Sequence, residues 1–387
     1  MPTLEVDFCG VKLKNPVILA SCGWGWDGER MKRCALAGAG AVIPKSIGPP
    51  AKWLQHPRRG RMKLIKYQGR PIGMVNIELY STLPTEAWIE KELKIAKEGG
   101  VPIIGSIVAN PDPAETTKLA KLVTETGLVE MIELNVSCPM PAGVVGYRMG
   151  QDAKAVAEQT KATKEGTHLP VMVKLTPVVS DIAEIAKAAV KAGADAISAT
   201  NSYRSLAGID IETGKPYLPA FGGYTGPAIK PIILRCVADI ARAVDVPISA
   251  IGGVSSWSDA IEYFMVGAKT VQVCTAVHWR GPKIFKEICD GILAFMERKG
   301  YERIDDIVGI ALKHITTTEE LAQLPPMVSE VDPTKCNGCK LCEIVCSYDA
   351  IKVGPNKIAK SDPTKCDGCG ICIEFCAPGA IRLVEKQ

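Results

Sequence analysis

The sequence predicts an α/β chain in two folded parts: a (β/α)8 barrel over residues 1–313 and a small cysteine-rich domain over 330–387, joined by a linker at 314–329. Three observations carry that prediction. Short apolar, β-rich stretches alternate with stretches of helical period through the first part. Polar residues of unusual type gather just past the ends of those stretches. Eight of the chain's 15 cysteines fall within 336–387, in two similar runs.

The candidate strands are PVILAS (16–21), AVIPKSI (41–47), PIIGSIVA (102–109), MIELNVS (131–137), PVMVKLT (170–176), AISAT (196–200), PISAIGG (247–253) and TVQVCTA (270–276). Helical patterns such as EAWIEKELKIAKEG, DIAEIAKAAVKAG and GPKIFKEICDGILAFMERKG lie between them. Eight strand–helix units in this length is the count of a barrel. The alternative is a doubly wound open sheet. It is disfavoured because no G-x-G-x-x-G follows a strand and opens a helix, and GAGA at 38–41 leads into a strand instead.

Composition narrows the class. Hydrophobic residues make up 47% and charged residues 23% of the 387, as in a soluble globular protein. No apolar run reaches the roughly 18 residues of a membrane span, and the opening MPTLEVDFCG has no signal-peptide pattern. The expectation is a cytoplasmic protein without a membrane partner. The net charge is only +4, and the most basic run, His56 to Arg70, holds a single aromatic residue. No nucleic-acid partner is expected.

The tail carries the strongest motif. CNGCKLCEIVC supplies Cys336, Cys339, Cys342 and Cys346, and CDGCGICIEFC supplies Cys366, Cys369, Cys372 and Cys376. Each run is C-x2-C-x2-C-x3-C and follows Asp-Pro-Thr-Lys, so the unit is an internal repeat. This is the spacing of bacterial two-cluster ferredoxins, in which the fourth cysteine of each run ligates the other cluster. One [4Fe–4S] cluster would take Cys336, Cys339, Cys342 and Cys376, the other Cys366, Cys369, Cys372 and Cys346. A zinc ribbon is the competing use of paired CxxC motifs, but it needs only four cysteines per ion. Ser347 and Ala377 stand where a proline usually follows the fourth cysteine.

In a barrel, chemistry gathers at the strand C-termini. Ser21, Lys45, Asn135, Cys138, Lys174, Asn201, Gly252, Gly253 and Thr275 all fall at or just past a strand end. Glycines after the seventh strand and a hydroxyl after the eighth suit a phosphate site. Two lysines at strand ends suit the electron-rich edge of a flavin. Each residue alone has an ordinary structural use, and their joint occurrence is the signal.

With NPVILAS, IPKSI, MVNIEL, ELNVSCP, VKLTP, ATNS, GGYTGPAIKP, IGGV and VQVCTAVHWRGPKIF, residues 1–313 resemble the FMN-binding barrel of the dihydroorotate dehydrogenase superfamily. A ferredoxin domain after the barrel resembles the arrangement of the dihydropyrimidine dehydrogenases within it. The resemblance implies FMN held by Ser21, Lys45, Ser46, Lys174, Gly226, Gly252, Gly253, Cys274 and Thr275. It implies a pyrimidine-like ligand held by Asn76, Asn135, Ser137, Asn201 and Ser202, with Cys138 at the family's active-site cysteine. Asparagine complements an amide edge because it carries a donor and an acceptor on one side chain. A thiol, mostly protonated at neutral pH, is a suitable acid, and its thiolate is the base in reverse. The bland alternative is a small buried hydrophobe, the expected role of Cys9, Cys22, Cys34, Cys236 and Cys289. The four histidines show no ligand spacing.

Three residues depart from the pattern. Met140 stands where the dihydroorotate enzymes have asparagine and the dihydropyrimidine enzymes histidine, and it offers only a weak acceptor. Trp24 and Trp26 either shape a more hydrophobic mouth or pack beneath the loop. The expected activity is reduction of the C5=C6 bond of uracil or thymine, or its reverse, with the proton from Cys138. Electrons would come from FAD and NAD(P)H on a partner reductase subunit, through two clusters, in a homodimer within a hetero-oligomer. Two alternatives remain: a related FMN-dependent enzyme acting on a non-pyrimidine substrate, and an electron-transfer subunit whose barrel is not catalytic.

Overall fold

A computed structural model describes residues 2–48, 60–137 and 146–386. The chain divides into two compact units, residues 1–313 and 314–387. Among the described residues no helix is long and apolar enough to cross a membrane.

The first unit is built on eight parallel strands: β1 (Val17–Leu19), β2 (Ala41–Val42), β3 (Ile104–Val108), β4 (Met131–Asn135), β5 (Val171–Lys174), β6 (Ala196–Ala199), β7 (Ile248–Ile251) and β8 (Ala268–Val273). Their order in the sheet is β2-β1-β8-β7-β6-β5-β4-β3. Parallel bridges Val42–Ile103 and Ile47–Ile107 bring the two edges together and close the barrel. Every residue of β3 to β7 is buried, as expected of parallel strands covered on both faces. Seven predicted stretches contain one of these strands, and the eighth overlaps β8, which begins two residues earlier, at Ala268. The second shortens most, from 41–47 to two residues, because Pro44 cannot donate to a ladder and the chain turns so that Lys45 N bonds Gly25 O.

Helices alternate with the strands, and their starts are legible as caps. Asp27, Asp112, Asp152 and Asp181 each accept from a first-turn amide, and Ser256 with Asp259 forms a capping box. The helix expected over EAWIEKELKIAKEG forms across Thr85–Lys97 with a π turn at Trp88–Glu92. Insertions after β2 and β6 pair with each other. Tyr203–Ser205, Gly222–Thr225, Arg70–Asn76 and Met62–Tyr67 make a four-stranded antiparallel sheet in that order.

The second unit is two interleaved halves. β9 (Met327–Val331) pairs with β12 (Ile381–Glu385), and β10 (Ile351–Val353) with β11 (Ala359–Ser361), all antiparallel. β9 begins at Met327, so paired structure reaches back into the segment expected as linker. Short helices Leu341–Val345 and Ile371–Glu374 follow the first two cysteines of each run and contain the third.

Candidate functional site

The C-terminal ends of the barrel strands surround a cavity of about 490 Å3, within the range that holds cofactor-sized molecules. Ser21, Lys45, Ser46, Asn76, Asn135, Ser137, Lys174, Asn201, Ser202, Gly252, Gly253, Cys274 and Thr275 all line it. Gly226 stands behind the wall, its carbonyl 3.0 Å from where a Cβ on Gly253 would sit. Cys138 and Met140 lie outside the described residues.

The polar groups are held by one another. Asn135 Nδ2 donates to Ser46 Oγ (3.0 Å), which also pairs with Ser106 Oγ (2.9 Å). Ser106 Oγ donates to Glu133 Oε1, 3.0 Å away, and Lys174 Nζ stands 3.4 Å from the same oxygen. Glu133 and Lys174 are 0% and 4% exposed at the side chain, so this is a buried ion pair aimed along β4 and β5. Breaking such a pair costs about 3–5 kcal/mol, because the remaining charge stays buried. Gln272 Nε2 donates to Ser198 Oγ (2.9 Å) and Ser249 Oγ (3.1 Å), tying three further strands into the floor.

On the other side, Asn201 Nδ2 donates to Ser137 Oγ at 2.8 Å, and Asn201 Oδ1 accepts from Ser202 N at 2.7 Å. Asn76, on the inserted sheet, donates to Gly223 O. Five amide or hydroxyl side chains from β4, the β6 end and the inserted sheet thus face one space.

The residues fit FMN. Gly226, Gly252 and Gly253 have φ of 105°, 152° and 78°, in the region L side chains avoid. A Cβ on Gly252 would stand 2.6 Å from Ile233 and one on Gly253 2.9 Å from Lys230, so these positions leave a cradle only glycine can line. Thr275 Oγ1 beside it bonds Thr225 Oγ1 at 2.7 Å. Gln272 Oε1 is buried in the floor without a hydrogen-bond partner among the described residues, an acceptor left for a bound group.

Sequence reasoning missed part of this site. Glu78 is buried at the pocket edge, 3.7 Å from Lys45 Nζ and 3.5 Å from Arg61 Nε. Nothing in the local pattern marks it. Glu133 and Gln272 were findable, since each shares the inward face of its strand with a named neighbour two residues on. His278 lines the pocket and packs on Gly23. Burial pushes its pKa below the usual range, opposed by the Glu78 charge. Cys22 is buried in the core as expected, and it also pairs with Cys274. The shared hydrogen bond and then burial raise the Cys22 thiol, while that bond and the Lys45 and Lys174 charges hold Cys274 down. The two tryptophans divide. Trp24 packs on the core under the Arg33 guanidinium, whereas Trp26 lines a neighbouring cavity with Lys45 Nζ 5.6 Å from its ring centre.

In the second unit Cys336, Cys339, Cys342 and Cys376 line one small enclosed cavity. Around Cys372, whose thiol is raised first by burial, stand Cys366, Cys369 and Cys346. A single tetrahedral zinc, with Zn–S near 2.3 Å, would bring its sulfurs within about 4 Å of one another. Among the described residues no three of these eight sulfurs lie within 4.8 Å of each other. That spread, around a void, fits a cluster rather than one ion. Backbone amides point at the sulfurs: Ala359 N at Cys336 (3.3 Å), Ser329 N at Cys366 (3.3 Å), Ala350 N at Cys346 (3.4 Å) and Ala380 N at Cys376 (3.2 Å).

Barrel, pocket and cysteine-rich unit together define an FMN-type oxidoreductase of CH–CH bonds carrying an iron–sulfur domain. Residues 3–296 match the family described as dihydroorotate dehydrogenase, and residues 328–351 match a 4Fe-4S binding domain. The chain belongs to the dihydroorotate dehydrogenase family. It is similar to the protein named "Dihydroorotate dehydrogenase B (NAD(+)), catalytic subunit" from Pyrococcus abyssi, with 41% identity over 312 residues, 80% of this chain and 99% of that one. The proteins of the same name from Methanothermobacter thermautotrophicus (40%, covering 80% and 98%) and Methanosarcina mazei (42%, covering 78% and 93%) are comparable. These matches span about the length of the barrel unit. Among solved structures, a dihydroorotate dehydrogenase from Eimeria tenella in complex with ferulenol has a TM-score of 0.67 at 20% identity, covering 81% of this chain and 89% of that one. At that identity the likeness is one of fold.

Proposed function

We propose that this chain is the catalytic subunit of an FMN-dependent enzyme that interconverts the C–C and C=C bond of a cyclic amide, a dihydropyrimidine without a carboxylate, and passes electrons through two [4Fe–4S] clusters. The observation that carries it is the convergence of Asn76, Asn135, Ser137, Asn201 and Ser202 on one pocket whose two lysines, Lys45 and Lys174, are already paired with Glu78 and Glu133. Amide donors and acceptors match a uracil or thymine ring.

FMN, when bound, supplies hydride exchange at its N5. The glycine cradle and Thr275 would hold its phosphate, and Lys174, fixed by Glu133, would present positive charge to its ring. Asn135 and Asn201, each locked by serine partners, orient the substrate ring. Cys138 Sγ would give the proton to the carbon next to the one that gains hydride, or take it in the oxidative direction. The two cysteine sets would carry the clusters, and a separate subunit with FAD and an NAD(P)H site would exchange electrons with them. The relatives' designation as catalytic subunits supports such a partner.

A second substrate, dihydroorotate, is favoured by the names of those relatives at 38–42% identity. The experiment is anaerobic: dihydrouracil, dihydrothymine and dihydroorotate are added separately to the oxidised, fully loaded protein, and flavin bleaching is followed. Rapid bleaching by either of the first two supports the proposal. Bleaching by dihydroorotate alone replaces it with the second substrate. No bleaching by any, and no reoxidation of the reduced protein by uracil, removes the pyrimidine class.

A further inference from the structure

Beyond the flavin and the clusters, the barrel brings together a second set of soft ligands. β1 and β8 are adjacent and parallel, with Leu19 opposite Val273. The residues just past their ends therefore emerge side by side, Cys22 from one and Cys274 from the other. Cys274 caps the helix Thr275–Arg280, and His278 follows it by four residues, one turn along the same face. Both Sγ atoms and a ring nitrogen of His278 lie within 4.8 Å of one another. Cys22 is buried and the other two half-buried.

Ordinary packing does not account for this grouping. Cys289, by contrast, is a buried thiol in the apolar core outside any such group. His278 has no hydrogen-bond partner among the described residues, and its ring is fixed against Gly23, where a Cβ would come within 2.7 Å of Cε1. Beyond the imidazole a cavity of about 320 Å3, lined by Gly23, Glu78 and His278 together with Arg30 and Arg61, leaves space for a fourth ligand.

We propose that Cys22, Cys274 and His278 form a three-ligand site for a thiophilic divalent cation, zinc foremost, with its fourth position open to water or the Glu78 carboxylate. Two thiolates and an imidazole are a zinc donor set, and three protein ligands with one open position is the arrangement of exchangeable rather than purely structural sites. Each thiol would release its proton to solvent on binding, and no electron changes hands. All three residues also stand in the wall of the flavin pocket, and the proposal holds for either substrate.

The test uses the full chain loaded with FMN and iron. Zinc alone is added, loosely held metal is removed by gel filtration, and zinc, iron and flavin are measured together. About one zinc per chain is expected, falling at least ~10-fold in Cys22→Ser and in His278→Gln with the iron content of the tail unchanged. Crystals of the unaltered protein should show a zinc-edge anomalous peak between the three side chains, a result that does not depend on either variant folding. Equal zinc in all three proteins, or a peak only among the tail cysteines, overturns the site. So does an absence of zinc with two fewer titratable thiols, which would mark Cys22 and Cys274 as an oxidised pair.

Discussion

In the barrel, the groups that face the pocket are tied to one another: Asn135 to Ser46, Ser106 to Glu133, Glu133 to Lys174, Asn201 to Ser137. Beneath them lies an apolar core running through all eight strands. In the second unit the buried core is Cys342, Ile351, Ala359, Cys372 and Ile381, so two of its five members are expected cluster ligands. The barrel's site is a surface feature of a fold that is complete beneath it. The small unit's site is its core. Pre-organisation in the first comes from hydrogen bonds and packing, and in the second it has to come from the metal.

Removing iron is the harshest way to press that difference. Exhaustive anaerobic chelation should unfold residues 314–387 while a protease-resistant barrel of residues 1–313 remains, read by limited proteolysis with mass analysis. Structural zinc supplies about 10–16 kcal/mol to the folding of zinc-finger peptides, and a core of five buried residues leaves the clusters a comparable role here. A tail that stays resistant without iron would break the comparison.

Next in size is Cys138→Ala, which should lower turnover by about 10²–10⁴-fold with FMN content unchanged. Unaltered turnover, with the clusters still reducing a partner, would favour an electron-transfer subunit with an idle barrel. Glu133→Ala should then destabilise the barrel by about 3–5 kcal/mol, visible as a lower denaturant midpoint, and leave the iron content of the tail intact. If the barrel were indifferent, the buried network would not be what holds the pocket.

The smallest effect separates the two halves of the tail. Cys366 accepts from Ser329 N and also lies 3.5 Å from Ser329 Oγ, whereas its counterpart Cys336 has the Ala359 amide. Donors to a sulfur stabilise the reduced, more negative cluster. Ser329→Ala should lower the potential of one cluster and leave the other, in an EPR-monitored redox titration. Equal shifts in both would show that the halves are not electronically distinct.

What the sequence disclosed and what it hid follow from range. Strands and cysteine runs are local signals, carried by period and by fixed spacing, and the described residues hold a strand at each predicted stretch. The inward residues of the strands, Asn135 and Lys174 among them, were legible as strand ends. The partnership of Cys22 with Cys274 and His278 was not, since it depends on β1 closing against β8 across some 250 residues. Glu78 was hidden for the same reason, because only the pairing of two distant insertions sets it against Lys45.

One feature of the tail reaches further than its chemistry. Its two runs are copies in sequence, yet β9 of the first half pairs with β12 of the second, and Cys376 closes the cavity begun by Cys336. Neither copy is a module. A half-length tail would not be a ferredoxin with one cluster but an edge strand without its mate and a three-sulfur cup open on one side. The repeat is therefore inherited or lost as a whole, and any scheme that adds or trims this domain must treat its two motifs as a single indivisible part.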